Sequence, residues 1–374
     1  MRRWIRFALT ACVLMAVLAV AGVFGASAYY SSERGKGCAS CHEMAAVVAS
    51  VHGSQHRNVG CMQCHRASLP TKLRHIRVHL FGPHPEAIRV RSVDVTDMTS
   101  DCQGCHRKEY ADWHAGPHSA TYTDIFLDAS QNRKQRLMDD CLRCHGMYFE
   151  GGIRNLVHPQ DAKGPWQLVR PKMANMPTIP CMACHQVHRE GDVETKPQSR
   201  FAVAGAGKDD SLAFYDRRER MHIAAVALPL PVVFDGVRRV NVSPDPRQGV
   251  CYQCHAPRPA DAENVAAVKG WGLQAGSGDD RTPMGVHEGI SCVACHNSHN
   301  QSARASCKNC HPQMSHCGID VEKMDTTFVS ATSPHNIHWV KCTDCHQHGI
   351  PAVKAHPPVQ AVAPLAGKVP SPRG

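Results

Sequence analysis

Large aromatic side chains are scarce in this sequence, because phenylalanine, tryptophan and tyrosine together make up 6% of its 374 residues. Few stretches show the period-two alternation of a β-strand, and His, Gly and Pro interrupt most helical periods. The scarcity of rings excludes a core built mainly from aromatic side chains, and the scarcity of strand-like alternation argues against a large sheet. We therefore expect a mainly α fold with short helices and much irregular loop.

Charged residues are absent between Arg6 and Glu33, and the 22 residues Phe7–Ala28 are mostly apolar. This length is enough for a helix that crosses a bilayer. The arginines before it predict a cytoplasmic N-terminus and export of the rest of the chain. A cleaved signal peptide is the alternative, because Ala26-Ser27-Ala28 has the small-residue pattern of a cleavage site.

Cysteine has an unusual distribution, since 18 of the 20 cysteines occur in nine copies of the pattern Cys-x-x-Cys-His. Structural zinc sites also use C-x-x-C pairs, but they do not require a histidine directly after each pair. A thioredoxin-like dithiol would occur once, within a βαβ pattern. The pattern is typical of c-type haem attachment, in which two thioether bonds hold the porphyrin and the adjacent histidine reaches the iron.

The nine motifs predict nine covalently attached c-type haems. The predicted attachment residues are Cys38, Cys41, Cys61, Cys64, Cys102, Cys105, Cys141, Cys144, Cys181, Cys184, Cys251, Cys254, Cys292, Cys295, Cys307, Cys310, Cys342 and Cys345. The predicted proximal ligands are His42, His65, His106, His145, His185, His255, His296, His311 and His346. With roughly 34 residues per motif, the chain is too short to bury a core around each haem. We expect a haem-packed fold that does not form without its cofactors.

The formal charge of +10 does not require a nucleic-acid partner. Each haem brings two propionate carboxylates, so we expect much of the Lys and Arg excess to pair with the cofactors. No nucleic acid is therefore predicted among the partners.

The stretch YYSSERGKGCASCHEM resembles the start of the NapC/NirT/NrfH family of membrane-anchored quinol dehydrogenase cytochromes. Members of that family have one N-terminal helix, a short Ser-containing junction and then C-x-x-C-H-x-M for the first haem. The resemblance covers residues 1 to about 85 and implies an uncleaved membrane anchor. It also implies that Met44 competes with His42 as an axial ligand of the first haem.

The sequence departs from that family after the second motif, where the family carries a basic residue and an acid that contribute to quinol oxidation. Lys72, Arg74 and Arg77 are present there, but no carboxylate precedes Glu86. Quinol and another membrane component therefore both remain candidate electron donors.

Nine of the 26 histidines belong to the motifs, which leaves 17 others. Imidazole is a favoured haem ligand, so we expect about eight of these to be distal ligands. His188 and His299 lie three residues after proximal ligands and leave the same side of the haem, so they would serve a neighbouring haem. The distal candidates are His52 or His56, His75 or His79, His118, His158, His188, His222, His287, His299, and His335 or His338.

The stretches WHAGPHSA and SPHNIHWVKCTDCH resemble parts of the wider multihaem group that includes pentahaem nitrite reductases and octahaem hydroxylamine oxidoreductases. The C-x-x-C-Lys motif that marks the active haem of those nitrite reductases is absent. An electron conduit with six-coordinate irons is the favoured function. The alternative is a reductase or oxidoreductase for a small nitrogen or sulfur compound at one five-coordinate haem. The eighth motif, with Met314, His316 and Cys317 nearby, is its candidate site. A third hypothesis is that the chain polymerises into a haem filament, which would require that the leader is cleaved.

We predict a periplasmic or extracytoplasmic haem domain held at the inner membrane by one helix, passing electrons to a redox partner on that side. A small hairpin is expected around Asp235-Gly236. The predicted organisation is a signal-anchor helix (1–30), a NapC-like dihaem module (31–95), haems 3–5 (96–190), a haem-free connector (191–250), haems 6–9 (251–346) and a disordered tail (347–374).

Overall fold

The structure, a computed structural model, describes residues 2–30, 37–41, 44–66, 68–82, 92–188, 211–255, 281–300, 302–303, 337–341 and 348. This part of the chain is about half helical with irregular loops, as the sequence predicts. Several predictions fall on residues outside these ranges. They concern His42, Cys307, Cys310, His311, His335, Cys342, Cys345, His346 and almost all of the tail 347–374.

The described ranges contain ten α-helices, most of them short. They are α1 (Arg2–Tyr30), α2 (Ala45–His52), α3 (Cys61–Cys64), α4 (Leu69–Phe81), α5 (Ser92–Cys102), α6 (Arg107–Ala115), α7 (Tyr122–Phe126), α8 (Ala129–Asn132), α9 (Pro246–Tyr252) and α10 (Cys292–Cys295). Short 3-10 helices lie between them, including Cys38–Ser40, Asp139–Arg143 and Cys181–Ala183.

Helix α1 is long and apolar enough to cross a membrane or to serve as a signal sequence. Its apolar side chains are exposed, with Phe7 at 75% and Phe24 at 71%. After α1 the chain returns to the end of the helix, because a Cβ at Gly37 would lie only 2.6 Å from the Cα of Tyr30. Glycine permits this close approach. The first motif, which starts at Cys38, therefore begins directly beside the C-terminal end of α1.

Three small antiparallel sheets of two strands each lie in the described ranges. They pair β1 (Val157–His158) with β2 (Gln167–Leu168), β3 (Ala213–Asp216) with β4 (Met221–Ala224), and β5 (Phe234–Asp235) with β6 (Arg238–Arg239). The β5–β6 hairpin confirms the turn predicted at Asp235-Gly236, and Gly236 has the positive φ of 62° that such a turn favours.

The β3–β4 hairpin lies in the predicted haem-free connector and packs on the fifth motif. The Ala213 N–H donates to the Cys184 carbonyl at 2.9 Å, and the Gln186 N–H donates to the Ser211 carbonyl at 2.7 Å. This part of the connector is therefore joined to the motif by backbone hydrogen bonds.

The buried apolar residues form two main clusters, and both include residues in or beside the motifs. The first contains Tyr122, Phe126, Leu142, Phe149 and Trp166 among others, and the second contains Val95, Tyr148, Ala183, Phe214 and Val250 among others. The anchor-proximal segment is different, since no described side chain within 37–41, 44–66 and 68–82 is buried. That segment has no apolar core of its own in the part described.

Candidate haem-binding sites

The six motifs described in full share one backbone conformation, a single helical turn. In each, the N–H of the histidine donates to the carbonyl of the first cysteine at 2.8–3.1 Å. A turn of this kind brings side chains three residues apart to the same face. The turn thus presents both thiols together with the histidine just beyond them, as attachment by two thioether bonds requires. The bonded pairs are His65 and Cys61, His106 and Cys102, His145 and Cys141, His185 and Cys181, His255 and Cys251, and His296 and Cys292.

Thiols of different motifs lie against one another. Three pairs are within hydrogen-bonding reach, and each pair joins two motifs. Two further pairs of thiols, Cys64 with Cys102 and Cys184 with Cys251, lie close enough to interact electrostatically. The motifs therefore follow the spatial order second, third, fifth, sixth and seventh, with the fourth beside the sixth. The hydrogen-bonded pairs are Cys102 with Cys181, Cys144 with Cys254, and Cys251 with Cys292.

The environment of these thiols favours the neutral form at several positions. Burial raises the pKa of Cys184 to about 12, and a hydrogen bond with Cys144 together with burial raises the pKa of Cys254. The hydrogen bond with Cys181 lowers the pKa of Cys102 to about 7. A neutral thiol is a poor nucleophile and metal ligand. Every cysteine in the described ranges is free of disulfide bonds, and no group of three or more His, Cys, Asp or Glu there could hold a metal ion.

Five pairs of imidazole rings lie within the described residues, and each joins a motif histidine to a histidine outside the motifs. The distances between ring centres fall between 5.9 and 6.3 Å. In three pairs the ring planes are within 20° of parallel. The pairs are His65 with His188, His106 with His56, His185 with His299, His255 with His118, and His296 with His338.

These separations fit a metal ion between the two rings. Two imidazoles whose nitrogens each lie about 2 Å from a shared metal ion have ring centres about 6 Å apart. Packed rings without a metal between them can reach similar distances, as Tyr110 and His114 do at 5.9 Å. What distinguishes the histidine pairs is that each contains one motif residue. The residues present therefore fit haem irons with two axial histidines.

The partner of a motif histidine comes from a distant part of the chain. His188 follows the fifth motif but pairs with His65 of the second. His299 follows the seventh motif but pairs with His185 of the fifth. The rings therefore connect the second motif to the fifth and the fifth to the seventh.

Burial lowers the pKa of three histidines that lie in or beside these pairs. Burial, followed by the neighbouring His255 and His145, lowers the pKa of His118 to about 4. Burial also lowers the pKa of His65 and of His145. The neutral imidazole is the form that binds a metal. The positions of these rings thus favour the ligand form at neutral pH.

The other candidate ligands lie elsewhere. His52 is the exposed last residue of α2, His75 and His79 lie one turn apart on α4, and His158 is exposed on β1. The ring of His287 contacts the Ile337 carbonyl at 3.0 Å through Nδ1. The Met44 N–H donates to the Cys41 carbonyl at 3.0 Å, so Met44 directly follows the first motif. Its competitor His42 is outside the described residues.

His222, one of the distal candidates named from the sequence, occupies a buried polar site. Its Nε2–H and the hydroxyl of Tyr148 each donate to the Met182 carbonyl at 2.8 Å, and the two donors lie 3.2 Å apart. Tyr215 stacks on Tyr148 with ring centres 4.0 Å apart. Since Met182 belongs to the fifth motif, this cluster holds the β3–β4 hairpin against that motif.

Replacing His222 is expected to affect stability rather than haem ligation. His222→Ala removes a buried donor and leaves a cavity, so the free energy of unfolding should fall by about 2–3 kcal/mol. Tyr148→Phe should cost about 1 kcal/mol, because the Met182 carbonyl keeps its bond from His222. Guanidinium denaturation followed by far-UV circular dichroism measures both values. A new high-spin iron in His222→Ala would contradict this prediction and make His222 a ligand.

Comparisons of the chain with protein-family models, with curated proteins and with solved structures found no match. The likeness to the NapC/NirT/NrfH family and to the wider multihaem group remains a resemblance carried by the stretches quoted above.

Proposed function

We propose that this chain is a nonahaem c-type cytochrome that transfers electrons between a quinol or another membrane donor and a redox partner on the exported side of the membrane. Nine motifs in the sequence and the shared turn of the six described in full support covalent attachment. The attachment and proximal ligand residues are those predicted from the motifs. The helix α1 would serve as the membrane anchor, because it is long and apolar enough to do so.

The pairing of imidazole rings is the observation that carries the proposal. An iron with two axial histidines exchanges electrons but has no open position for a substrate. Five of the six fully described motif histidines have such a second ring at 5.9–6.3 Å. This arrangement favours electron transfer over catalysis at those positions.

When bound, the haems would supply one-electron redox chemistry at their irons. The chain's own residues hold and orient the cofactors. The two cysteines of each motif would attach the cofactor, and the two histidines of each pair would bind its iron. The side chains of Cys102 and Cys181, and those of Cys251 and Cys292, lie close together, so the motifs that carry them are neighbours. Short separations between cofactors would follow, and these favour rapid electron hopping.

The contact between Gly37 and Tyr30 supports a direction for the proposed electron transfer. It places the first motif beside the end of α1, and therefore at the membrane surface if α1 crosses the bilayer. Electrons from a membrane donor would then reach the first and second haems before the others. The residues 251–346 would deliver them to the partner.

An EPR spectrum of the oxidised holoprotein, with haem content measured as pyridine haemochrome, tests this function. We expect nine haems per chain, from the nine motifs, and only low-spin iron whose signals do not change with nitrite or hydroxylamine. A stoichiometric high-spin iron that shifts with either compound would instead support the enzyme alternative. A haem content well below the motif number would contradict the cofactor assignment itself.

A further inference from the structure

Helix α4 (Leu69–Phe81) exposes a stripe of large apolar side chains. Leu73 is 52% exposed, Ile76 is 38% exposed and Leu80 is 60% exposed. Residues at these spacings, three and four apart, lie on one face of a helix. The neighbouring Val78 and Phe81 are also exposed, Phe81 at 84%. Exposed apolar patches occur at protein-binding, membrane-binding and ligand-binding surfaces.

The helix is a discrete element with defined ends. The hydroxyl oxygen of Ser68 accepts a hydrogen bond from the Thr71 N–H at 3.4 Å, and Pro70 occupies the first turn. The chain leaves the helix at Gly82, whose N–H donates to the Val78 carbonyl at 2.7 Å. Thirteen helical residues span about 20 Å. A surface element of this length can lie along a membrane.

The segment around α4 carries cations and lacks carboxylates. No Asp or Glu occurs from residue 44 to residue 85, whereas five Lys and Arg residues do. Arg66 pairs with Asp101 at 3.1 Å, but Arg74 and Arg77 are exposed on α4 itself. Arginine stems can lie along apolar surface while their guanidinium groups reach phosphate groups. The five residues are Arg57, Arg66, Lys72, Arg74 and Arg77.

We propose that α4 lies in the headgroup region of an anionic bilayer, with Leu73, Ile76 and Leu80 inserted and Arg74 and Arg77 on lipid phosphates. Two observations select a lipid surface as the occupant. The basic and apolar composition of the helix matches that of interfacial helices. The close approach of Gly37 to Tyr30 places the start of the anchor-proximal segment beside the end of the candidate membrane helix. Helix α4 belongs to that segment. This binding site is independent of electron transfer.

Hydrogen–deuterium exchange of the full-length holoprotein tests the proposal. The protein is compared in detergent, in phosphatidylcholine nanodiscs and in nanodiscs that also contain phosphatidylglycerol. The stretch 66–82 contains no cysteine, so its peptides carry no haem. We expect its amides to exchange about ten-fold more slowly with phosphatidylglycerol than in detergent, and less slowly with phosphatidylcholine alone. Helix α6 (Arg107–Ala115) is an internal control that should not respond to lipid.

Substitutions separate the two parts of the site. Leu73→Ser combined with Leu80→Ser should abolish the lipid protection, and Arg74→Gln combined with Arg77→Gln should remove the difference between the two lipids. Val237→Ser is the matched control, because Val237 is likewise an exposed apolar residue but lies in the turn of the β5–β6 hairpin. It should leave the protection of α4 unchanged.

Exchange of the α4 amides that is as fast in both nanodiscs as in detergent would overturn the proposal. Slow exchange in detergent that lipid does not slow further would also overturn it, because the stripe would then be covered by the chain itself. Protection in detergent that rises with protein concentration would assign the stripe to contact with a second copy of the chain. Loss of protection in the Val237→Ser control would show a general effect on folding and would likewise contradict it.

Discussion

Under the proposed haem attachment, replacing His188 with alanine is expected to convert one haem iron from low spin to high spin, and that iron should belong to the second motif rather than to the adjacent fifth. The reason is the ring contact of His188 with His65, 5.9 Å away, although His188 is only three residues beyond His185. Removal of one axial imidazole leaves an iron with an open position. The ferric EPR spectrum should gain a high-spin signal of one iron per chain that binds added imidazole.

A variant that lacks the second haem identifies which iron loses its ligand. In the variant Cys61→Ala with Cys64→Ala, the second haem cannot attach, so adding His188→Ala should create no further high-spin iron. His299→Ala should still create one in that background, because His299 lies 6.3 Å from His185. His158→Ala is the matched control, since His158 is exposed on β1. An additional high-spin signal from His188→Ala in the background that lacks the second haem would show that His188 serves another iron.

Expression without covalent haem attachment is expected to give a chain that does not fold. The anchor-proximal ranges 37–41, 44–66 and 68–82 contain no described buried side chain. Chains below about 40 residues usually need cofactors or cross-links to hold a structure. Trypsin should therefore cleave at Arg57, Arg66 and Arg74 in the haem-free chain. The far-UV spectrum should show no cooperative thermal transition.

The same chain matured with haem is the control and should resist trypsin at those sites. Cys12→Ser provides a second control, because Cys12 lies in α1 outside the motifs and its loss should leave nine haems attached. A haem-free chain that resists trypsin and unfolds cooperatively would contradict the prediction. It would show that the protein part alone supplies the core.

The features that local sequence determines could be predicted. The apolar run Phe7–Ala28 lies inside the observed α1, and the other helices, such as α6 and α7, are short, as the interrupted helical periods predict. The β5–β6 turn follows from Gly236, which adopts a positive φ readily. In each case the signal lies within a few residues, where steric and hydrogen-bonding preferences act directly.

The long-range contacts could not be predicted in the same way. His65 and His188 are far apart in sequence, and no periodicity connects them, so the candidates could be named but not paired. The β3–β4 hairpin was missed because its short strands show no clear alternation of apolar and polar residues. Backbone hydrogen bonding to Cys184, which is distant in sequence, helps to stabilise it. The polar contacts of His222 likewise depend on Met182 and Tyr148, which tertiary packing brings together.

The distance along the chain between His65 and His188 has a consequence for biosynthesis. Ribosomes add roughly 5–20 residues per second, so His188 is made about 6–25 seconds after His65. If haem is attached to the second motif before His188 has been made, that haem has only one protein ligand during this interval. Each molecule would pass through a stage that binds small ligands at an iron which the finished protein closes. Maturation in the presence of oxygen or peroxide would therefore be the vulnerable period in the life of this protein.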